Sequence, residues 1–145
     1  ARQKIQGTNL NWFIIEQLPV IPPETYEQPL NANWGSTRVG DFVKEHVLRL
    51  SYTAWDLEPF ARDLGYTGEP FPFDEEDRRH RMAKLDALYF LLYGLSEDDA
   101  AYVLSTFPIV EAHDRKQFGS FRTSELIQHY MRVLQAGDLE VIVEA

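Results

Sequence analysis

Cysteine is absent from this sequence of 145 residues. That excludes a disulfide framework, a cysteine-based zinc site and thiol chemistry. It is consistent with a reducing, cytoplasmic setting, which is where we expect the protein to act. No apolar run approaches the roughly 20 residues that a helix needs to cross a bilayer, so no membrane partner is expected. Signal-peptide and polybasic lipid-binding patterns are missing too. Positive charge is scarce: 14 Lys and Arg stand against 23 Asp and Glu, a net charge of −9. A whole protein with that balance is a poor non-specific nucleic-acid binder, because Lys and Arg neutralising phosphates supply most of such affinity. A piece of a longer protein is under no such limit. The first residue is Ala1, and a strongly apolar segment begins by Leu10, which points to a chain cut from a longer one.

Catalytic signatures are also missing. The chain has no glycine-rich turn between strand and helix to receive a nucleotide or S-adenosylmethionine, and no P-loop. An adenine-specific methylase needs an Asn-Pro-Pro-aromatic type of loop for the target amino group. Here Pro22-Pro23 stands between Ile21 and Glu24. The Glu-x-Lys element common in metal-dependent nucleases does not occur. His46, His80, His113 and His129 include no pair at the i, i+4 spacing of a zinc site. They read as surface or half-buried side chains, with His46 at the edge of an apolar helix face. The acidic runs Glu75-Glu76-Asp77 and Glu97-Asp98-Asp99 fall in the first turns of expected helices, where they favour the helix dipole. No catalytic, cofactor-binding or metal-binding residue is therefore assigned.

What is present is material for a core: 44% apolar residues, with 3 Trp, 7 Tyr and 9 Phe. The fold class expected is mainly α, about five helices in an irregular bundle, preceded by a short extended or β segment. Residues 1–35 form that first stretch. Pro19, Pro22 and Pro23 exclude a helix across them, and Trp12 to Gln17 is either a short strand or a single helical turn. Glu24 to Gly35 is expected as loop, held where Tyr26 and Trp34 pack. Residues 36–136 form a helical unit. Val39, Phe42, Val43, His46, Val47 and Leu50 mark one helix face, with Ser36 as a possible cap. Asp56 is expected to cap a helix that begins at Leu57 and stops at Gly65, with Pro59 in its first turn. Tyr66 to Phe73 is loop. Asp74 caps the longest helix, whose buried face is expected at Met82, Leu85, Leu88, Tyr89 and Leu92, with Gly94 as stop. Ser96 opens a near capping box for a helix with Tyr102, Val103 and Leu104 inward, ended by Pro108. Glu111 to Gly119 reads as a charged loop. The last helix runs from about Phe121 to Ala136, buries Leu126, Ile127, Tyr130, Met131 and Leu134, and stops at Gly137. The tail 137–145 alternates apolar and acidic residues and reads equally as an added strand or a disordered end.

Two basic clusters are candidates for contact with a DNA backbone. Arg78, Arg79 and Arg81, with Lys84, lie on the long helix, where the plain alternative is a solvated face paired with Glu75, Glu76 and Asp77. Arg115 and Lys116 lie in the expected loop and Arg122 at the start of the last helix, where backbone N–H groups suit a phosphate. The aromatic run Tyr52-Thr53-Ala54-Trp55-Asp56 reads as a packed corner between helices.

Three segments carry a resemblance: Asn9–Pro23 (NLNWFIIEQLPVIPP), Leu50–Phe71 (LSYTAWDLEPFARDLGYTGEPF) and Lys84–Pro108, opening KLDALYFLLYGLS. Phe118-Gly119-Ser120-Phe121-Arg122-Thr123 extends it. In order and spacing they resemble the extreme C-terminal region of large bacterial restriction–modification proteins of type II (type IIG-like), in which an adenine-specific DNA methylase is fused to a target-recognition region and often to a nuclease. Related methylases serve phage defence. The resemblance covers most of residues 9–135. It implies a parent that methylates adenine N6 with S-adenosylmethionine as cofactor, with the methylase motifs upstream. Residues up to 35 would close a target-recognition domain, and the helices would buttress it. Expected partners are DNA, through the parent, and the upstream methylase and target-recognition domains. The alternative is a helical protein-interaction module whose acidic surface docks another domain or subunit.

Overall fold

The computed structural model describes residues 12–30 and 37–137, without the side chain of Ile14. The expectations for Trp34, Ser36 and residues 138–145 lie outside them. The described residues are mainly helical and contain no strand.

Trp12–Ile15 form a single helical turn, α1, which decides between the two sequence alternatives. Pro22 is extended, at φ −67° and ψ 149°, and Pro23 then opens a second single turn, α2 (Pro23–Tyr26). The sequence reading made this stretch loop. Proline forbids a helix only beyond its own first turn, and Pro23 sits at the start, where it has no N–H to satisfy. An isolated antiparallel bridge joins Pro29 to Arg38, and Tyr26 and Leu30 pack against the core.

α3 (Val39–Ser51) buries Val39, Phe42 and His46. A 3-10 turn, Trp55–Leu57, leads into α4 (Glu58–Asp63). Asp56 lies inside that turn, so it does not cap the helix as expected. Pro59 is in the first turn of α4, and Gly65 closes it at φ +85°. α5 (Glu75–Leu92) starts where Asp74 Oδ1 accepts the Asp77 N–H at 2.7 Å. α6 (Glu97–Ser105) carries a full capping box: Asp99 N–H donates to Ser96 Oγ at 3.2 Å, and Ser96 N–H donates to Asp99 Oδ2 at 2.9 Å. The Ser96 hydroxyl, which donates to Asp99 Oδ2 at 2.6 Å, and then the Ser96 N–H hold the Asp99 carboxyl below the usual range.

The expected loop Glu111–Gly119 is instead a helix, α7 (Pro108–Phe118), ended by Gly119 at φ +80°. Pro108 starts α7 rather than ending α6. The residues of α7 are polar enough to read as loop. Asp114 is buried, whereas Ile109 is 74% exposed. α8 (Arg122–Ala136) buries Leu126, Ile127, Tyr130, Met131 and Leu134, the whole face that periodicity assigns to it.

α5 against α8 is the most extensive helix pair, and α3, α6 and α7 pack around it. The face of α5 differs from expectation. Arg81, Ala83, Lys84, Ala87 and Leu88 are buried, while Met82 is 48% exposed. Ala83 and Ala87, four residues apart, let α8 come close, since interaxial distance follows the side chains at the contact. The longer apolar residues then fall to the flanks. Tyr102, expected inward on α6, is 74% exposed.

The Tyr52 corner is packed. Tyr52 is fully buried, with the rings of Trp55, Tyr66 and Phe71 edge-on at centroid distances of 6.4, 6.0 and 6.4 Å. Its hydroxyl donates to the Gly68 carbonyl at 3.3 Å. A Cβ on Gly68 would lie 2.4 Å from the Tyr66 hydroxyl, so any larger residue there would push the Tyr66 ring aside.

Candidate functional site

The two basic clusters do not form one exposed stripe. Arg81 is 5% exposed; its Nε donates to Asp77 Oδ2 at 2.7 Å, and its guanidinium lies 3.1 Å from His46 Nδ1 on α3. Lys84 is also buried, with its ammonium 5.3 Å from the Tyr130 ring centroid. Burial, then the neighbouring Arg81, pull the Lys84 pKa down. Arg78 donates to the Leu50 carbonyl at 2.6 Å and stacks over Phe73 at 4.7 Å. Arg79 pairs with Glu76 and lies over Phe118 at 4.5 Å. Arg78 and Arg81 thus reach toward α3, and Arg79 reaches the end of α7.

The second cluster is arranged differently. Arg115 and Lys116 are exposed in the last turn of α7, where cations offset the negative helix end, and Arg115 pairs with Glu111 at 2.8 Å. Arg122 is half-buried at the start of α8. The N-terminus of α8 already holds an anion: buried Asp114 accepts the Thr123 N–H at 2.6 Å. A phosphate there would have to displace or repel that carboxylate.

His46 is more than an edge residue; it is 3% exposed, with Phe42 edge-on at 4.4 Å. Burial first, then Lys84 and Arg81, push its pKa down to about 3. Its Nδ1 is therefore the acceptor of the Arg81 N–H. His80 lies between the Tyr130 hydroxyl, 2.6 Å from Nδ1, and a Glu76 carboxylate, 3.2 Å from Nε2. Since a carboxylate only accepts, Nε2 donates to it. Burial raises the pKa of Tyr130, which keeps the phenol protonated. Sequence reading missed this relay because its members are fifty residues apart; the signal available was His80 on α5 and Tyr130 on the buried face of α8. The relay fixes α5 to α8 and lines none of the three cavities found among the described residues beside α2–α3, at the start of α5 and between α5 and α8. Among the described residues, no three His, Asp or Glu side chains are placed to hold a metal ion.

One apolar cavity stands out. About 290 Å³ lies between α5, α6, α7 and α8, lined in part by Phe90, Val103, Phe107, Val110 and Phe121, with Asp86 as the charged lining residue. No described helix is long and apolar enough to cross a membrane. Compared with models of known families, with curated proteins and with solved structures, the chain matches none of them.

Proposed function

We propose that this chain is a non-catalytic C-terminal brace of a restriction–modification adenine-specific DNA methyltransferase, supporting its target-recognition domain through protein contacts. The observation that carries the reading is where the resembling segments fall. Leu50–Phe71 builds the Tyr52 corner, and Lys84–Pro108 builds α5, α6 and their junction. These two segments supply packing, whereas the described part of Asn9–Pro23 exposes Trp12, Phe13 and Val20, apolar surface that suits a support with a neighbouring domain against it. The inward use of Arg78 and Arg81 favours bracing over backbone contact as the main role. The same geometry supports a second reading, a helical module that docks a separate subunit, through the exposed apolar residues of α6 and α7.

The test is twofold. The chain by itself is expected to show no methyl transfer, no nuclease activity and no heat of binding with S-adenosylmethionine in calorimetry. The full-length parent is expected to methylate adenine N6 and, when residues 36–136 are deleted, to keep cofactor binding while losing target selectivity. Measurable S-adenosylmethionine binding by the chain, or a parent without an Asn-Pro-Pro-aromatic loop, would sink the assignment.

A further inference from the structure

The cavity between α5, α6, α7 and α8 is walled mainly by hydrocarbon, and Asp86 brings a carboxylate into it. Desolvation by its surroundings raises the Asp86 pKa, although the residue as a whole is exposed. The carboxylates nearby in sequence or space have work to do: Asp77 holds Arg81, Asp99 closes the α6 capping box, and Asp114 caps α8. Asp86 has no hydrogen bond or ion pair among the described residues. A carboxylate that borders apolar surface and has no partner is open to an incoming cation or donor.

We infer that this cavity docks a protein partner, and that the occupant is a peptide segment presenting an aliphatic or aromatic side chain beside an Arg or Lys. Size argues for side chains over a cofactor. About 290 Å³ falls at the bottom of the range of roughly 300–1,000 Å³ typical of small-molecule sites. The surroundings argue for a macromolecule. The lining residues Val103 and Val110 each follow an exposed apolar residue in sequence, Tyr102 and Ile109, each 74% exposed. Charge complementarity selects the basic residue: Asp86 is the charged residue of the lining, and the chain carries −9 overall. The inference rests on the docking half of the proposed function and not on its methyltransferase half.

The whole 145-residue chain, isotope-labelled for NMR, can be titrated with N-acetyl-Leu-Arg-amide and with N-acetyl-Leu-Glu-amide. Backbone amide shifts are expected at Phe90, Val103, Val110 and Phe121. The Arg peptide should bind about fivefold more tightly than the Glu peptide, the scale of one partly exposed ion pair. Asp86→Lys should reverse that preference while the melting temperature stays close to that of the parent chain. No shifts at these amides, equal binding of the two peptides, or an unreversed preference in a folded Asp86→Lys chain would overturn the docking site. Peptide binding together with a parent that lacks methylase activity would leave the cavity standing and remove the assignment. An active methylase parent with no peptide binding would do the opposite.

Discussion

His46 shows how one side chain can be misread when its neighbours are unknown. On a helix wheel it is a polar interruption at the margin of an apolar face. In the fold it is enclosed by Phe42, by Arg81 and Lys84 from α5, and by Asp77, with Arg49 on its own helix. Its neutral form accepts from Arg81, so protonation would break that bond and add a fourth positive charge to the cluster. The folded pKa, about 3, lies below the unfolded value of 6.5. Between the two the unfolded chain binds more protons, so stability is present above the unfolded value and is lost as pH falls through the window. We expect urea unfolding to show a loss of about 1 kcal/mol from this group between roughly pH 7.5 and pH 5.5. His46→Gln should remove that part of the pH slope. A slope unchanged by the substitution would mean that the imidazole is open to solvent in the folded chain. The same cluster explains why the basic stripe was illegible as structure. Arg81 and Lys84 read as surface residues by type, and burial of such groups depends on partners thirty or more residues away.

At the scale of elements, legibility followed the cleanness of the apolar stripe. α8 has five apolar residues at helical spacing, and its face was readable throughout. α3 was readable at its start, where Val39 and Phe42 are buried. α5 was located correctly by Asp74 and Gly94, yet its face was misassigned, because packing selected small Ala83 and Ala87 over larger Met82. α7 was missed. Its apolar Ile109 faces outward, Val110 only borders the groove between the helices, and its buried residue is an aspartate that serves α8. No hydrophobic period could reveal such a helix, but its ends were signalled by Pro108 and Gly119. Those ends yield a prediction. Gly119 has φ +80° and open space around a built Cβ, so Gly119→Ala should cost about 1 kcal/mol through backbone strain and not through a clash. Pro108→Ala, at a position that needs no N–H, should change stability by less than about 0.5–1 kcal/mol. Chemical denaturation of both variants measures the contrast. A larger loss at Pro108 than at Gly119 would contradict the helix boundaries described here.

For the molecule as a whole, the question is how much positive charge remains to meet DNA. Among the residues first considered for backbone contact, Arg78, Arg79 and Arg81 are engaged with a carbonyl, with aromatic rings and with carboxylates. Arg115, Lys116 and Arg122 remain nearer to solvent, although Arg115 shares Glu111. Each phosphate neutralised contributes about −0.9 to the slope of log affinity against log salt. If contact is confined to Arg115, Lys116 and Arg122, the slope for duplex DNA should be no steeper than about −3, and binding should be weak at physiological salt. Lys116→Ala should then make the slope shallower by about 1, whereas Arg78→Ala should act mainly on stability, through the lost bond to Leu50. Fluorescence anisotropy over a salt series distinguishes the two. A steep slope, near −6, together with a change on substituting Arg78 equal to that for Lys116, would mean that the α5 arginines leave their internal partners to bind DNA, and the chain would then be a reader of the backbone and not a brace.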